Sequence, residues 1–261
     1  MRLINPITGL PVEAQGEVAE RLKAKGFKEN EIISANLGVK RHSGNGIIDR
    51  FRDRVMFPII DLRGNVIAFG GRIMSDAKPK YLNSNETLIF NKRKNLFGLN
   101  LAKKTKAGSL ILVEGNIDVV ALHQYGFDNA VASLGTAFTP QQAELLKRYA
   151  DKATLCYDSD EAGQKATARA INILRNTGLN VRVLTIPDGK DPDEFIRVNG
   201  ADKFREVVKN ALYVEDYLLE RAKNDNTDPE TGMLDRGRYQ EDICLYGSWM
   251  NDDIKATGKA V

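Results

Sequence analysis

From Gly108 the chain falls into a regular alternation of short apolar runs and longer amphipathic ones. SLILVEG (109–115), NAVASLG (129–135), KATLCYD (152–158) and NVRVLTI (180–186) are strand-length and nearly continuously apolar. Between them stand NIDVVALHQYG (116–126), TPQQAELLKRYA (139–150) and AGQKATARAINILRNTG (162–178), with helical periodicity and helix punctuation. Thr139 offers an N-cap and Pro140 a first helical residue, Gly126 and Gly178 close their helices, and Pro192 opens another. Antiparallel sheets with one wet face alternate polar and apolar residues along each strand. Strands apolar on both faces, separated by helices, predict a parallel sheet covered on both sides.

That prediction fixes where the acids go. In an open parallel sheet, ligands sit beyond the carboxyl ends of the strands, where the winding reverses. The first run ends in Glu114-Gly115, the third in Asp158-Ser159-Asp160, and the fourth leads into Pro187-Asp188-Gly189-Lys190-Asp191-Pro192-Asp193. Asp118 follows Glu114 by one helical turn and can face the same space. Any one strand-end aspartate serves well as a helix cap, and Asp191 before Pro192 fits that role. Six acids on one edge are different, since carboxylates so crowded raise one another's pKa unless a cation lies among them. Glu114, Asp118, Asp158, Asp160, Asp191 and Asp193 are therefore the candidate metal ligands. Oxygen donors without Cys or His favour Mg²⁺ or Mn²⁺, and two or more such ions suit phosphoryl transfer.

The N-terminal part reads differently. Two short helices are expected within 16–37, followed by hairpin grammar from Gly46 to Gly71, with a Leu62-Arg63-Gly64-Asn65 turn between apolar strands. Residues 78–106 look irregular and basic, and 201–261 look helical. Net charge is +3 overall, yet residues 40–106 carry fifteen Lys and Arg against five acids, and residues 107–200 carry nine against twelve. A basic block beside an acidic one suggests a polyanion held by the first and metal chemistry done by the second. Two cysteines and two histidines without finger spacing give no zinc site and no disulfide framework. No secretory or membrane-spanning pattern appears, so the expected compartment is the cytoplasm.

Glu114-Gly115 after an apolar strand, followed by Asp158-x-Asp160 and Ala162-Gly163, resembles the Toprim signature shared by topoisomerases, bacterial primases and certain nucleases. FRDRVMFPIIDLRGNVIAFGGRI (51–73), PKYLNSNET (79–87), IFNKRKNLFGL (89–99), ASLGTAFT (132–139) and DGKDPDEFIR (188–197) resemble the catalytic core of DnaG-type primases, in the same order. Where that family usually has Glu-Gly-Tyr-Met-Asp, this chain has Glu114-Gly115-Asn116-Ile117-Asp118. The resemblance implies an α/β fold: a Toprim parallel sheet (107–200), preceded by a smaller basic mixed α/β subdomain (49–106) and an N-terminal helical segment (1–48). A helical segment (201–261) follows. It implies catalytic roles for Glu114, Asp158 and Asp160, with Asp118, Asp191 and Asp193 as supporting acids. Arg52, Arg54, Arg72, Lys80, Tyr81, Asn83 and Lys92 would line a groove for nucleic acid and nucleotide. Arg supplies bidentate phosphate contacts, Lys a point charge, and Tyr81 a stacking surface.

The implied activity is template-directed synthesis of short RNA primers on single-stranded DNA, a DNA-directed RNA polymerase reaction by metal-dependent nucleotidyl transfer, in a bacterial or phage-encoded setting. Its partners would be a single-stranded template, ribonucleoside triphosphates and the RNA primer. A replicative helicase would join through a domain expected outside this chain, as is the family's zinc module. Two alternatives use the same residues: another Toprim enzyme (nuclease or strand transfer), and a non-catalytic binder of single-stranded nucleic acid.

Overall fold

The structure, a computed structural model, describes residues 18–135, 137–187, 191–229 and 231–257. Helices α1 (Val18–Ala24) and α2 (Glu29–Ser34) pack on a small hairpin of β1 (Gly38–Lys40) and β2 (Ile47–Asp49) around Ala19, Ile32 and Ile47. Buried Asp49 accepts the amide protons of Val18 and Ala19 at 3.0 and 2.8 Å, which ties the start of α1 to β2.

The expected hairpin is present as β3 (Arg54–Ile60) and β4 (Val66–Ile73), antiparallel, with Gly64 at φ +94° in the turn. A third strand, β5 (Tyr81–Asn83), pairs with β4 and corrects the irregular reading of 78–106. Three residues after a proline have no periodicity to read, so only the partner strand reveals them. A 3₁₀ turn (Lys92–Lys94) and α3 (Leu99–Ala102) carry the chain into the larger sheet.

That sheet has the order β10-β9-β8-β6-β7. Strands β6 (Ser109–Val113), β7 (Ala130–Ala132), β8 (Lys152–Cys156) and β9 (Asn180–Val183) are parallel, as expected. Alternate residues divide between two cores. Leu110, Leu112, Val131, Leu155 and Val183 face α5 (Pro140–Lys147), α6 (Glu161–Arg175) and α8 (Val214–Asp225), while Ile111, Val113, Ala132 and Cys156 face α4 (Asn116–Gln124) and α7 (Pro192–Lys209). Most of these strand side chains are fully buried, which at ~25 cal/mol per Å² makes the two faces the main stabilising element.

The C-terminal part is less separate than expected. Helix α7 runs through the boundary at 200/201, kinked at Gly200 (φ +82°), and buries Phe204 against Phe127, with ring centroids 4.8 Å apart. Leu212–Tyr213 form a short β10, antiparallel to β9, where a helix was expected. Helix α8 then inserts Val214 and Leu218 into the core. Helix α9 (Arg236–Thr257) follows, and among the described residues no helix is long and apolar enough to cross a membrane.

Candidate metal centre and nucleic-acid interface

The connection leaving β6 runs to β7 on one side, and the connection leaving β8 runs to β9 on the other, so the crevice opens between β6 and β8. Val113 pairs with Cys156 across it, so Glu114 and Asp158 emerge from adjacent strand ends. The Asp158 N–H donates to Glu114 Oε1 at 3.2 Å. Only glycine fits at 163: a Cβ there would lie 2.1 Å from the Asp158 carbonyl oxygen and 2.9 Å from Glu114 Oε1. The first turn of α6 therefore closes directly over the two acids.

The other acids approach from helix starts. Asp160 caps α6, accepting from the Gly163 N–H at 2.8 Å, and Asp191 caps α7, accepting from the Glu194 N–H at 2.6 Å. Both act as helix caps, each through one carboxylate oxygen. Asp193 pairs with Arg197 at 3.1 Å. Asp118 is buried in the first turn of α4 and accepts from the Gly115 N–H at 3.0 Å. Asp188 and Lys190 lie outside the described residues.

Electrostatics tie these acids into one group centred on Asp158. Burial lifts Glu114 above the ordinary carboxyl range, with Asp158 and Asp160 adding to it. Burial likewise lifts Asp158, with Asp191 and Asp160 adding. Asp118 is pushed up to about 7, first by burial, then by Asp158, Asp191 and Asp193. Among the described residues no three acids meet closely enough to chelate an ion outright. An oxygen-only donor set strained by its own repulsion nonetheless fits a hard divalent cation in its chemistry.

A prediction follows for the metal-free protein. Asp118 binds its proton more tightly folded than unfolded, so its contribution to stability is greatest below about pH 4 and declines as pH rises to about 7. The loss is on the order of 4 kcal/mol, and Glu114 and Asp158 act in the same direction. Asp118→Asn keeps an acceptor for the Gly115 N–H and should flatten this slope, melting several degrees above wild type at pH 8 but not at pH 4 in chelator-treated buffer. An equal offset at both pH values would mean that Asp118 ionises freely.

The basic sheet meets the acids through β5. Tyr81 is half-exposed, opposite Arg72 in the β4–β5 register, with the Arg72 guanidinium 5.6 Å and the Lys80 ammonium 5.9 Å from its ring centroid. Burial raises the Tyr81 phenol; Arg72 opposes this, and Asp118, Asp191 and Asp158 add to it, which places the ring within electrostatic reach of the crevice. Asn83 is the joint between the two sheets. A Cβ on Gly70 would lie 2.8 Å from its Oδ1, and one on Gly135 would lie 2.4 Å from its Nδ2, so both glycines make room for this one amide. Lys92 sits on the 3₁₀ turn, pinned by its N–H to Glu86 Oε1 at 2.9 Å and its carbonyl to Gln142 Nε2 at 2.9 Å. Two predicted groove residues have structural duties. Arg54 donates to the carbonyls of Pro79, Lys80 and Gly71 and so positions Lys80. Exposed Arg52 donates to the Asp49 carbonyl.

Four contributors escaped the sequence reading. Arg50, lowered from the usual guanidinium range by burial, donates to the Asn83 carbonyl and to Asn85 Oδ1, both at 3.2 Å, and steadies β5. Asn116 sends its Nδ2 over Gly70 beside Asn83. Ser133 and Arg169 line a cavity that opens at Glu114. Arg50 is one of fifteen cations in the basic block and the other three carry no acid, so only the packing singles them out.

Comparison with known proteins agrees with this arrangement. Residues 8–103 match the family described as DNA primase catalytic core, N-terminal domain, and residues 111–196 match the family described as Toprim-like. The DNA primase of Clostridium acetobutylicum is 50% identical over 224 residues, covering 85% of this chain and 37% of that protein. The chain thus spans little more than a third of this curated relative. The crystal structure of a DNA primase domain from Pseudomonas aeruginosa superposes with a TM-score of 0.73 at 37% identity, covering 92% of this chain and 80% of that one. A DnaG primase catalytic domain bound to single-stranded DNA gives 0.72 at 38% identity, covering 82% and 69%. At this identity and coverage the chain belongs to the family of bacterial DnaG-type DNA primases.

Proposed function

We propose that this chain synthesises short RNA primers on single-stranded DNA by nucleotidyl transfer, in the bacterial cytoplasm. The observation that carries the reading is the single electrostatic group formed by Asp118, Asp158 and Asp191 with Tyr81 of the basic sheet. The 3′-hydroxyl of the primer attacks the α-phosphate of the incoming ribonucleotide, forming the O3′–P bond as the bond to pyrophosphate breaks. Glu114, Asp158 and Asp160 are the residues that would hold Mg²⁺ or Mn²⁺, with Asp118, Asp191 and Asp193 in support. Such ions would lower the hydroxyl's pKa and neutralise charge gathering on the leaving group.

The remaining work falls to the chain's own residues. Arg72, Lys80 and Lys92 hold strand and nucleotide phosphates, Arg52 reaches the groove from its exposed edge, and Arg54 fixes the Lys80 loop. Tyr81 stacks on an unpaired base, its ring already polarised by two cations. Asn83 holds the two sheets at fixed spacing. We assign template binding to 49–106 and the chemistry to 107–200, with 1–48 and 201–261 as flanking supports.

The deciding experiment incubates the chain with a short single-stranded template, labelled ribonucleotides and Mg²⁺ or Mn²⁺, with products read on a sequencing gel. Short RNA made only when template is present supports the reading; shortened template would favour a nuclease, and binding without turnover a passive core. Lys92→Ala should weaken single-strand binding and lower the slope of log affinity against log salt by about 0.7. An unaltered slope would place Lys92 outside the groove.

A further inference from the structure

The acid crevice is open on two sides. On the face of α4 and α7, Asp118 and Asp191 lie within electrostatic reach of Tyr81 and the basic sheet. On the opposite face, that of α5 and α6, a cavity of about 350 Å³ lies across the ends of β7, β6 and β8. Ser133 leaves β7, Glu114 leaves β6 and Tyr157 leaves β8; Ala166 and Arg169, one turn apart on α6, form the far wall. Gly135, at φ +72°, bends the loop along the cavity's rim.

Arg169 is the one cation lining this cavity among the described residues. Its side chain is exposed and makes no hydrogen bond or ion pair among those residues. Its helical neighbour Lys165 is already paired with Glu161. The adjacent cavity under α8 offers a contrast, since its Arg221 is paired with Asp225 at 3.2 Å. Nor does Arg169 neutralise Glu114, whose carboxyl stays raised by burial and its acidic neighbours. A carboxylate and an unpaired guanidinium thus line one cavity, with space in it for a ligand group.

We propose that Arg169, with the Ser133 hydroxyl, forms a phosphate subsite on the α5–α6 face of the crevice, holding a nucleotide phosphate beside Glu114. This deepens the primase reading and rests on it. Guanidinium and hydroxyl donors suit phosphate oxygens, and Glu114 tolerates them there because nucleotide phosphates bring a cation with them. The phosphate belongs either to the triphosphate of the incoming nucleotide or to a strand backbone.

The test compares wild type with Arg169→Ala, Arg169→Lys and, as control, Asp158→Asn. Binding of a labelled ribonucleoside triphosphate and of a labelled single strand is measured by anisotropy across a salt series, beside primer synthesis. If the subsite takes the triphosphate, Arg169→Ala raises Kd and KM for nucleotide about tenfold, leaves strand binding unchanged, and is partly rescued by Arg169→Lys. If it takes a strand phosphate, nucleotide Kd holds and the salt slope for the strand falls by about 0.7. Nucleotide and strand binding both within twofold of wild type would overturn the proposal. Loss of the primase reading would look different: wild type itself would make no RNA, while the binding comparison would still decide the role of Arg169. Because Arg169 is exposed, its removal should leave the melting temperature unchanged.

Discussion

An Asp158→Asn chain should lose primer synthesis by about 1,000-fold or more, while melting no lower than wild type above pH 7 in metal-free buffer. That loss corresponds to about 4 kcal/mol of transition-state stabilisation. Two observations set its size. Asp158 is the acid common to both sets of neighbours, raised by Asp191 on one side and Asp160 on the other, and itself raising Glu114 and Asp118. Its structural tie to Glu114 runs through the backbone N–H, which asparagine retains. The substitution removes one charge from a repelling cluster and no hydrogen bond known to hold the fold. Activity within tenfold of wild type would remove Asp158 from the chemistry; a large drop in melting temperature would show that its carboxylate supports the fold.

Gly163→Ala is expected to act on stability and activity together. Its Cβ would stand 2.1 Å from the Asp158 carbonyl oxygen and 2.8 Å from the carbonyl carbon, and those are backbone atoms that no rotamer change can move aside. The start of α6 must therefore lift away or the Asp158 backbone must shift, and either movement breaks the Asp160 cap on the Gly163 N–H. We expect a cost of about 4 kcal/mol, seen as a melting temperature roughly 10 °C lower, with metal-dependent synthesis lost even where the protein still folds. Because Glu114 Oε1 also lies 2.9 Å from the added carbon, the damage reaches the acid crevice directly. Wild-type stability and activity in this variant would mean that α6 does not close over Asp158 as described. Gly108 offers the control: it has nothing within 4 Å of an added Cβ, so alanine there, at φ +66°, should cost only local strain and leave activity intact.

Much of this site was legible in the chain. The four parallel strands were readable because burial on both faces forces continuous apolar runs, and Leu110 through Val113 show the alternation of cores that this produces. The acids were readable because strand ends in a parallel sheet share one edge, so Glu114, Asp158 and Asp160 needed no coordinates to be grouped. Caps at Thr139, Asp160 and Asp191 follow from local chemistry alone. Tertiary structure decided what has no local signature. β5 and β10 are strands only because β4 and β9 accept them as partners. Asn83 became a joint because two glycines distant in sequence, Gly70 and Gly135, leave room for it. Arg54 spends its guanidinium on the Lys80 loop and Arg169 keeps its own free, a distinction invisible in two arginines read one at a time. Periodicity and strand-end chemistry act over a few residues and are written in the sequence; which side chains share a cavity, and which donors are already satisfied, depends on contacts that exist only once the chain has folded.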